Sequence, residues 1–215
     1  MEVLPAVIAV DQEQLDEMLS RVKGFVAHVM LDFMDGVFVP GRSMDFDVTL
    51  PVGLDYQAHL MVEEPVRLLS RLPAEVGTAI IHVESVDDVS GSLDVARDRG
   101  LKAFLGVNPG TSVDAVAPYL SRVDGVLVMT VEPGRYGSRF LPKCLGKIKA
   151  LRELDYDLFI EVDGGMNPET VARAVEMGAD AVAAGSYVFG SGDPSKAYRD
   201  LLEAAQAASQ QARRR

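Results

Sequence analysis

The chain has 215 residues, of which 48% are hydrophobic, with a formal net charge of −11 and a single cysteine, Cys144. That length suits one large domain or two small ones, and the acidic balance argues against a nucleic-acid partner, whose phosphates demand a basic surface. The lone cysteine excludes an internal disulfide framework, no apolar run approaches the ~20 residues of a membrane span, and the acidic start "MEVLPAVIAVDQEQ" carries no secretory pattern, so the expectation is a cytoplasmic globular protein.

Short apolar runs alternate with amphipathic stretches along the whole chain. The first run, "VLPAVIAV", leads into the helical pattern "DQEQLDEMLSRV" with Asp11 as its N-cap. The second, "FVAHVMLDF", ends at Asp32, and three residues later Asp35 opens a glycine turn. The stretch "SMDFDVTLPVG" that follows is short and poor in helix formers, which makes it the weakest helical segment. Then come "LDYQAHLMV" with His59, the helical "EEPVRLLSRLPAEV", and "GTAIIHVES" ending at Glu84. After "LKAFLGV" stand Asn108 and a helix over "TSVDAVAPYLSRV", for which Thr111 is the expected cap. "GVLVMTV" brings Thr130 and Glu132, "DLFIEVDG" brings Asp163, and "NPETVARAVEMG" reads as a helix capped by Asn167 with proline at its first position. "DAVAAGS" ends at Gly185 and Ser186, and "AAQAASQQARRR" reads as a helix fraying into a disordered basic tail over 209–215.

Eight continuous apolar strands at roughly 25-residue spacing, with helices between most of them, predict a single (β/α)8 TIM barrel over residues 1–208. A doubly wound open sheet is disfavoured because no glycine-rich dinucleotide turn follows the first strand. In a barrel all strand C-termini meet at one mouth, so Asp32 and Asp163 become neighbours. Opposed carboxylates suit a two-base epimerisation, in which one takes a proton from carbon and the other returns it on the opposite face. Either aspartate taken singly reads equally well as a loop cap, and Asp35 reads as one, since aspartate commonly bonds its own turn. The turns "EPGRYG", "DGG" and "AGS" on late strands match the phosphate loops of barrels, where glycine lets backbone N–H groups approach an anion. The expected ligand is a small phosphorylated molecule. Met34, Met61 and Met129 each read first as core fillers. As a group at the mouth they form an apolar wall that raises the basicity of a buried carboxylate.

"LDFMDGVFVP", "HLMVEEP", "IIHVES", "VNPGTSVD", "VLVMTVEPG", "VDGGMN" and "GADAVAAGSYVFG" closely resemble, in order and spacing, the ribulose-phosphate 3-epimerase family. The resemblance implies a TIM barrel of the ribulose-phosphate binding type that interconverts D-ribulose 5-phosphate and D-xylulose 5-phosphate through an enediolate steadied by a divalent metal, zinc or another transition metal. It implies that Asp32 and Asp163 are the acid/base pair and metal ligands, and that His59 is a metal ligand. Met34, Met61 and Met129 then lie near the reacting carbons, and Gly134 with Gly137, Gly164 with Gly165 and Gly185 with Ser186 form the phosphate-binding turns. Relatives are commonly dimers or hexamers, which implies a homo-oligomer.

The chain also departs from the family pattern. Met30 stands where the family has a metal-binding histidine, and a thioether suits zinc beside carboxylates poorly. His28 shares the parity of Met30 but lies two residues, about 6–7 Å, further from the mouth. Gln57 replaces an aspartate that orients His59 from behind. The strand-one Ser-x-x-Ser is Ala6-Val7-Ile8-Ala9, and the phosphate turn carries Arg135 and the bulky Tyr136. A metal held weakly or absent, an epimerase for a different ketose phosphate, and a catalytically silent phosphosugar-binding homologue therefore stay open as alternatives.

Overall fold

The computed structural model describes residues 1–212 of the chain. Its strands in chain order are β1 (Glu2–Val7), β2 (His28–Asp35), the short β3 (Arg42–Ser43), β4 (Asp55–Met61), β5 (Val76–His82), β6 (Lys102–Val107), β7 (Gly125–Met129), β8 (Ile160–Asp163) and β9 (Ala181–Ala184). Eight of them pair in parallel, and β1 pairs with both β2 and β9, so the sheet closes on itself as a TIM barrel. The ninth, β3, adds antiparallel beside the end of β2, with Asp35 opposite Arg42.

The unbroken apolar runs are two period-2 patterns superposed, because both faces of each strand are covered. Val29, Leu31 and Phe33 of β2 face the helices, in the same large core as Val7, Ala58, Leu60, Ala79 and Ile81. Met30, on the opposite parity, faces the barrel interior with Leu4, Ala6, Ile80, Phe104, Leu127 and Met129. Register then sets which polar residues share a level: Asp32 lies opposite His59, His82 opposite Gly106, and Met129 opposite Asp163.

The helices are α1 (Gln12–Val22), α2 (Pro65–Leu69), α3 (Val89–Asp98), α4 (Leu145–Leu154), α5 (Pro168–Glu176), α6 (Ser186–Phe189) and α7 (Pro194–Ala212). Two of the expected caps form: Asp11 accepts from the Gln14 N–H, and Asn167 accepts from the Glu169 and Thr170 N–H groups in a full capping box. The third expectation fails. Residues 111–123 form two short 3-10 segments, Val113–Ala115 and Ala117–Arg122, and Ser112 rather than Thr111 is the cap. Pro118 lies in mid-segment, where it lacks the N–H an α-helix needs. No helix follows β2, and α2 fills only a small part of the expected "EEPVRLLSRLPAEV" helix. At the C-terminus α7 continues to Ala212, so residues 209–212, expected in a disordered tail, are helical, while 213–215 lie outside the described residues. No helix among the described residues is long and apolar enough to cross a membrane.

Candidate active site

The mouth is built by parity. Asp32, His59 and Asp163 all point inward at the C-terminal ends of β2, β4 and β8, where one atom from each falls within 4.8 Å of the other two. His59 Nδ1 is 3.0 Å from Asp32 Oδ1 and 3.8 Å from Asp163 Oδ2. His59 is fully buried, and the side chains of Asp32 and Asp163 are only 6% and 14% exposed.

Burial decides the charge state. It pushes Asp32 up to about 7, with the nearby His82 pulling slightly the other way. Asp163 is also raised to about 7, by burial first and then by the negative charge of Asp32. Loss of water drives His59 down to about 4, against the pull of Asp163, so its imidazole is neutral at pH 7. A pair of carboxyls near neutrality can hold one proton between them, as an acid beside a base.

His82, which the sequence reading passed over, settles which nitrogen of His59 faces the carboxylates. Its Nε2 is 2.8 Å from His59 Nε2, and its Nδ1 is 3.3 Å from Glu84 Oε2. Partial burial pushes Glu84 up, but hydrogen bonds from His82, Thr111 and the Asn108 N–H outweigh it, so its carboxyl sits below the usual range and is ionised. An ionised Glu84 accepts from His82 Nδ1–H, which leaves a lone pair on His82 Nε2. His59 Nε2–H then donates to that lone pair, and the lone pair of His59 Nδ1 is left on the side of Asp32 and Asp163, where the Asp32 carboxyl, 3.0 Å away, donates to it when protonated. This fixes in the imidazole the tautomer a metal ligand needs. The sequence signal was a histidine of inward parity two residues before Glu84. The second was Gly106 opposite it, where an added Cβ would lie 3.1 Å from the His82 ring.

Most other expected residues share one cavity. Asp32, Met61, Met129, Gly134, Gly137, Asp163, Gly164, Gly165, Gly185 and Ser186 all line it. His59 sits behind this surface, and Met34 lies to the side, packed with Met61 and Val39. Thr130 reinforces the turn after β8 by donating from its hydroxyl to the carbonyl of Gly164 at 2.6 Å. Gly164, at φ +113°, also stands where a Cβ would lie 2.4 Å from Val131, so no side chain fits there.

Met30 is fully buried in the apolar interior of the barrel. Gln57 donates to Glu161 at 2.8 Å instead of supporting His59. His28 faces the opposite end of the barrel, between Glu2 and Asp55 at 3.8 and 3.7 Å. Of the strand-one residues, Ala6 and Ile8 line the mouth, whereas Val7 and Ala9 turn into the outer core. Tyr136 fills the mouth beside them. Its hydroxyl donates to the Ala6 carbonyl at 2.5 Å and accepts from the Ile8 N–H at 3.0 Å.

The model of the ribulose-phosphate 3 epimerase family matches residues 2–189. The chain is 34% identical to the ribulose-phosphate 3-epimerase of Mycobacterium tuberculosis, covering 96% of this chain and 94% of that one. It is 34% identical to the Bacillus subtilis enzyme of the same name, covering 94% and 98%. With that of Methanocaldococcus jannaschii the identity is 39%, covering 81% and 78%. Among solved structures, a 3-hexulose-6-phosphate synthase superposes with a TM-score of 0.70 at 14% identity over 95% of this chain and 99% of that one. A thiamine phosphate pyrophosphorylase from Pyrococcus furiosus gives 0.61 at 13% identity, over 96% of each chain. At that identity the likeness is one of fold.

Proposed function

The chain belongs to the ribulose-phosphate 3-epimerase family, and we propose on that footing that it interconverts D-ribulose 5-phosphate and D-xylulose 5-phosphate by moving a proton between the two faces of C3. The observation that carries this reading is the approach of Asp32 and Asp163, from opposite parts of the chain, to one buried mouth within 4.8 Å of a shared histidine. One carboxylate removes the C3 proton, and the other, protonated, delivers a proton to the opposite face. Without a bound ion, burial raises both to about 7, which keeps an exchangeable proton on the pair, and a divalent ion beside them would lower both.

Two carboxyls and a neutral imidazole whose lone pair points at both are a donor set that suits zinc or a similar divalent ion, with a position left for substrate. Asp32, His59 and Asp163 would hold that ion, which would supply positive charge beside the oxygens of the reacting ketose. His82 and Glu84 keep the His59 lone pair on that side. Gly165, Gly185 and Ser186 line the mouth where backbone N–H groups would meet the phosphate, and Met61 and Met129 line it where they would exclude water next to the reacting carbon.

The test is turnover of D-ribulose 5-phosphate, followed by NMR, with zinc, manganese or iron(II) added to purified protein. The reading predicts D-xylulose 5-phosphate at equilibrium with its epimer. An unchanged ketose spectrum with every metal would sink it.

A further inference from the structure

We infer that Tyr136 determines how tightly this mouth takes a phosphorylated ligand, because its side chain lies across the mouth in the space that ligand needs. The inference deepens the epimerase reading and rests on it for the ketose, though not for the phosphate end.

Tyr136 lies in the loop after β7, yet its hydroxyl reaches across the barrel to the end of β1, 130 residues away in sequence. There it saturates two backbone groups, donating to the Ala6 carbonyl and accepting from the Ile8 N–H. One edge of its ring is pressed against the turn after β9: a Cβ placed on Gly185 would be 2.2 Å from Tyr136 Cε1 and 2.9 Å from its Cδ1. Glycine at 185 is thus required by the tyrosine itself, whatever else it serves. The residue as a whole is 38% exposed, so it sits in the mouth as a cork with part of its surface in solvent. Beneath and around it the cavity is about 40 Å³. That is room for a few waters, against the several hundred Å³ of an ordinary ligand pocket.

A ketose phosphate reaching from Gly185 to Asp32 and Asp163 must therefore lift the ring off Gly185 and break both hydrogen bonds. A ligand that binds only the open arrangement sees its dissociation constant multiplied by the reciprocal of the open fraction. The strand-one residues favour the cork. Ala6 and Ile8 offer no side-chain hydroxyl that competes for Tyr136, and their backbone groups find the phenol instead of water.

Two variants separate the ring from the hydroxyl. Tyr136→Phe keeps the ring and removes both hydrogen bonds, and Tyr136→Ala removes everything. With calorimetry on inorganic phosphate and on D-ribulose 5-phosphate, the dissociation constants should fall about tenfold in the first variant and more in the second. In the wild type, the Ile8 amide resonance should move when phosphate is added. Binding that is equal to or weaker than wild type in both variants, or no phosphate binding in any of the three proteins, overturns the inference. If phosphate follows the expected order and the ketose binds none of the proteins, the cork stands and the epimerase reading falls.

Discussion

Asp32 and Asp35 stand three residues apart at the end of one strand, and the fold gives them opposite chemistry. Asp32 has inward parity, meets no backbone donor, and is pushed up to about 7 by burial. Asp35 has outward parity. Slight burial raises it, but N–H groups of Glu63, Val37 and Phe38, at 2.8–2.9 Å, outweigh that and hold it below the usual carboxylate range. One carboxylate is thus spent on holding the β2 turn to the end of β4, and the other is left destabilised and available to exchange a proton. What separates function from structure here is the direction of a side chain and its supply of N–H donors.

The contrast breaks most plainly by substitution. Asp32→Asn should lower kcat about 10²–10⁴-fold, the usual worth of an acid–base group, with the fold intact by circular dichroism. Asp32→Asn retaining full turnover would place the acid elsewhere. A weaker probe is the support behind the site. His82→Gln should loosen zinc about 10–100-fold in competition with a chelator, because His59 then loses the acceptor that fixes its tautomer.

A pH titration of chelator-treated protein sharpens the comparison further. Asp32 and Asp163 hold protons in the fold up to about 7 and Glu161 up to about 8, all raised chiefly by burial, whereas the unfolded chain releases them near 4. The folded state therefore binds extra protons through that window, and these groups make stability fall as pH rises. His59 and His82, both depressed by burial, act in the opposite sense, but mainly below about 6.5, where the unfolded chain takes up their protons. Between pH 6.5 and 8 the opposing imidazole contribution fades and the carboxyls dominate, so thermal denaturation should show stability dropping, by at most about 1.4 kcal/mol per pH unit for each carboxyl still protonated. Added zinc should flatten the curve. The smallest effect is that of Asp35→Asn, which should cost about 1–2 kcal/mol of stability and leave kcat within a few-fold.

Much of this was legible in the sequence. The eight barrel strands announce themselves because two-sided burial leaves them apolar throughout, and Asp32, His59 and Asp163 are readable because barrel topology brings strand ends together. The 3-10 segments over residues 113–122 were obscured because apolar spacing suggested a helix that Pro118 interrupts. His82 was hidden inside "IIHVES", where a histidine among isoleucines looks like ordinary core. The reach of Tyr136 to Ala6 and Ile8 has no periodic signature at all, since it depends on the path of an irregular loop.

The most direct measurement is proton exchange in D2O with D-ribulose 5-phosphate as substrate. Transfer between two opposed carboxyls predicts that D-xylulose 5-phosphate forms carrying a single deuterium at C3, and that both Asp32→Asn and Asp163→Asn abolish its appearance. Product that keeps its original C3 hydrogen, or exchange that persists in both variants, would contradict the account.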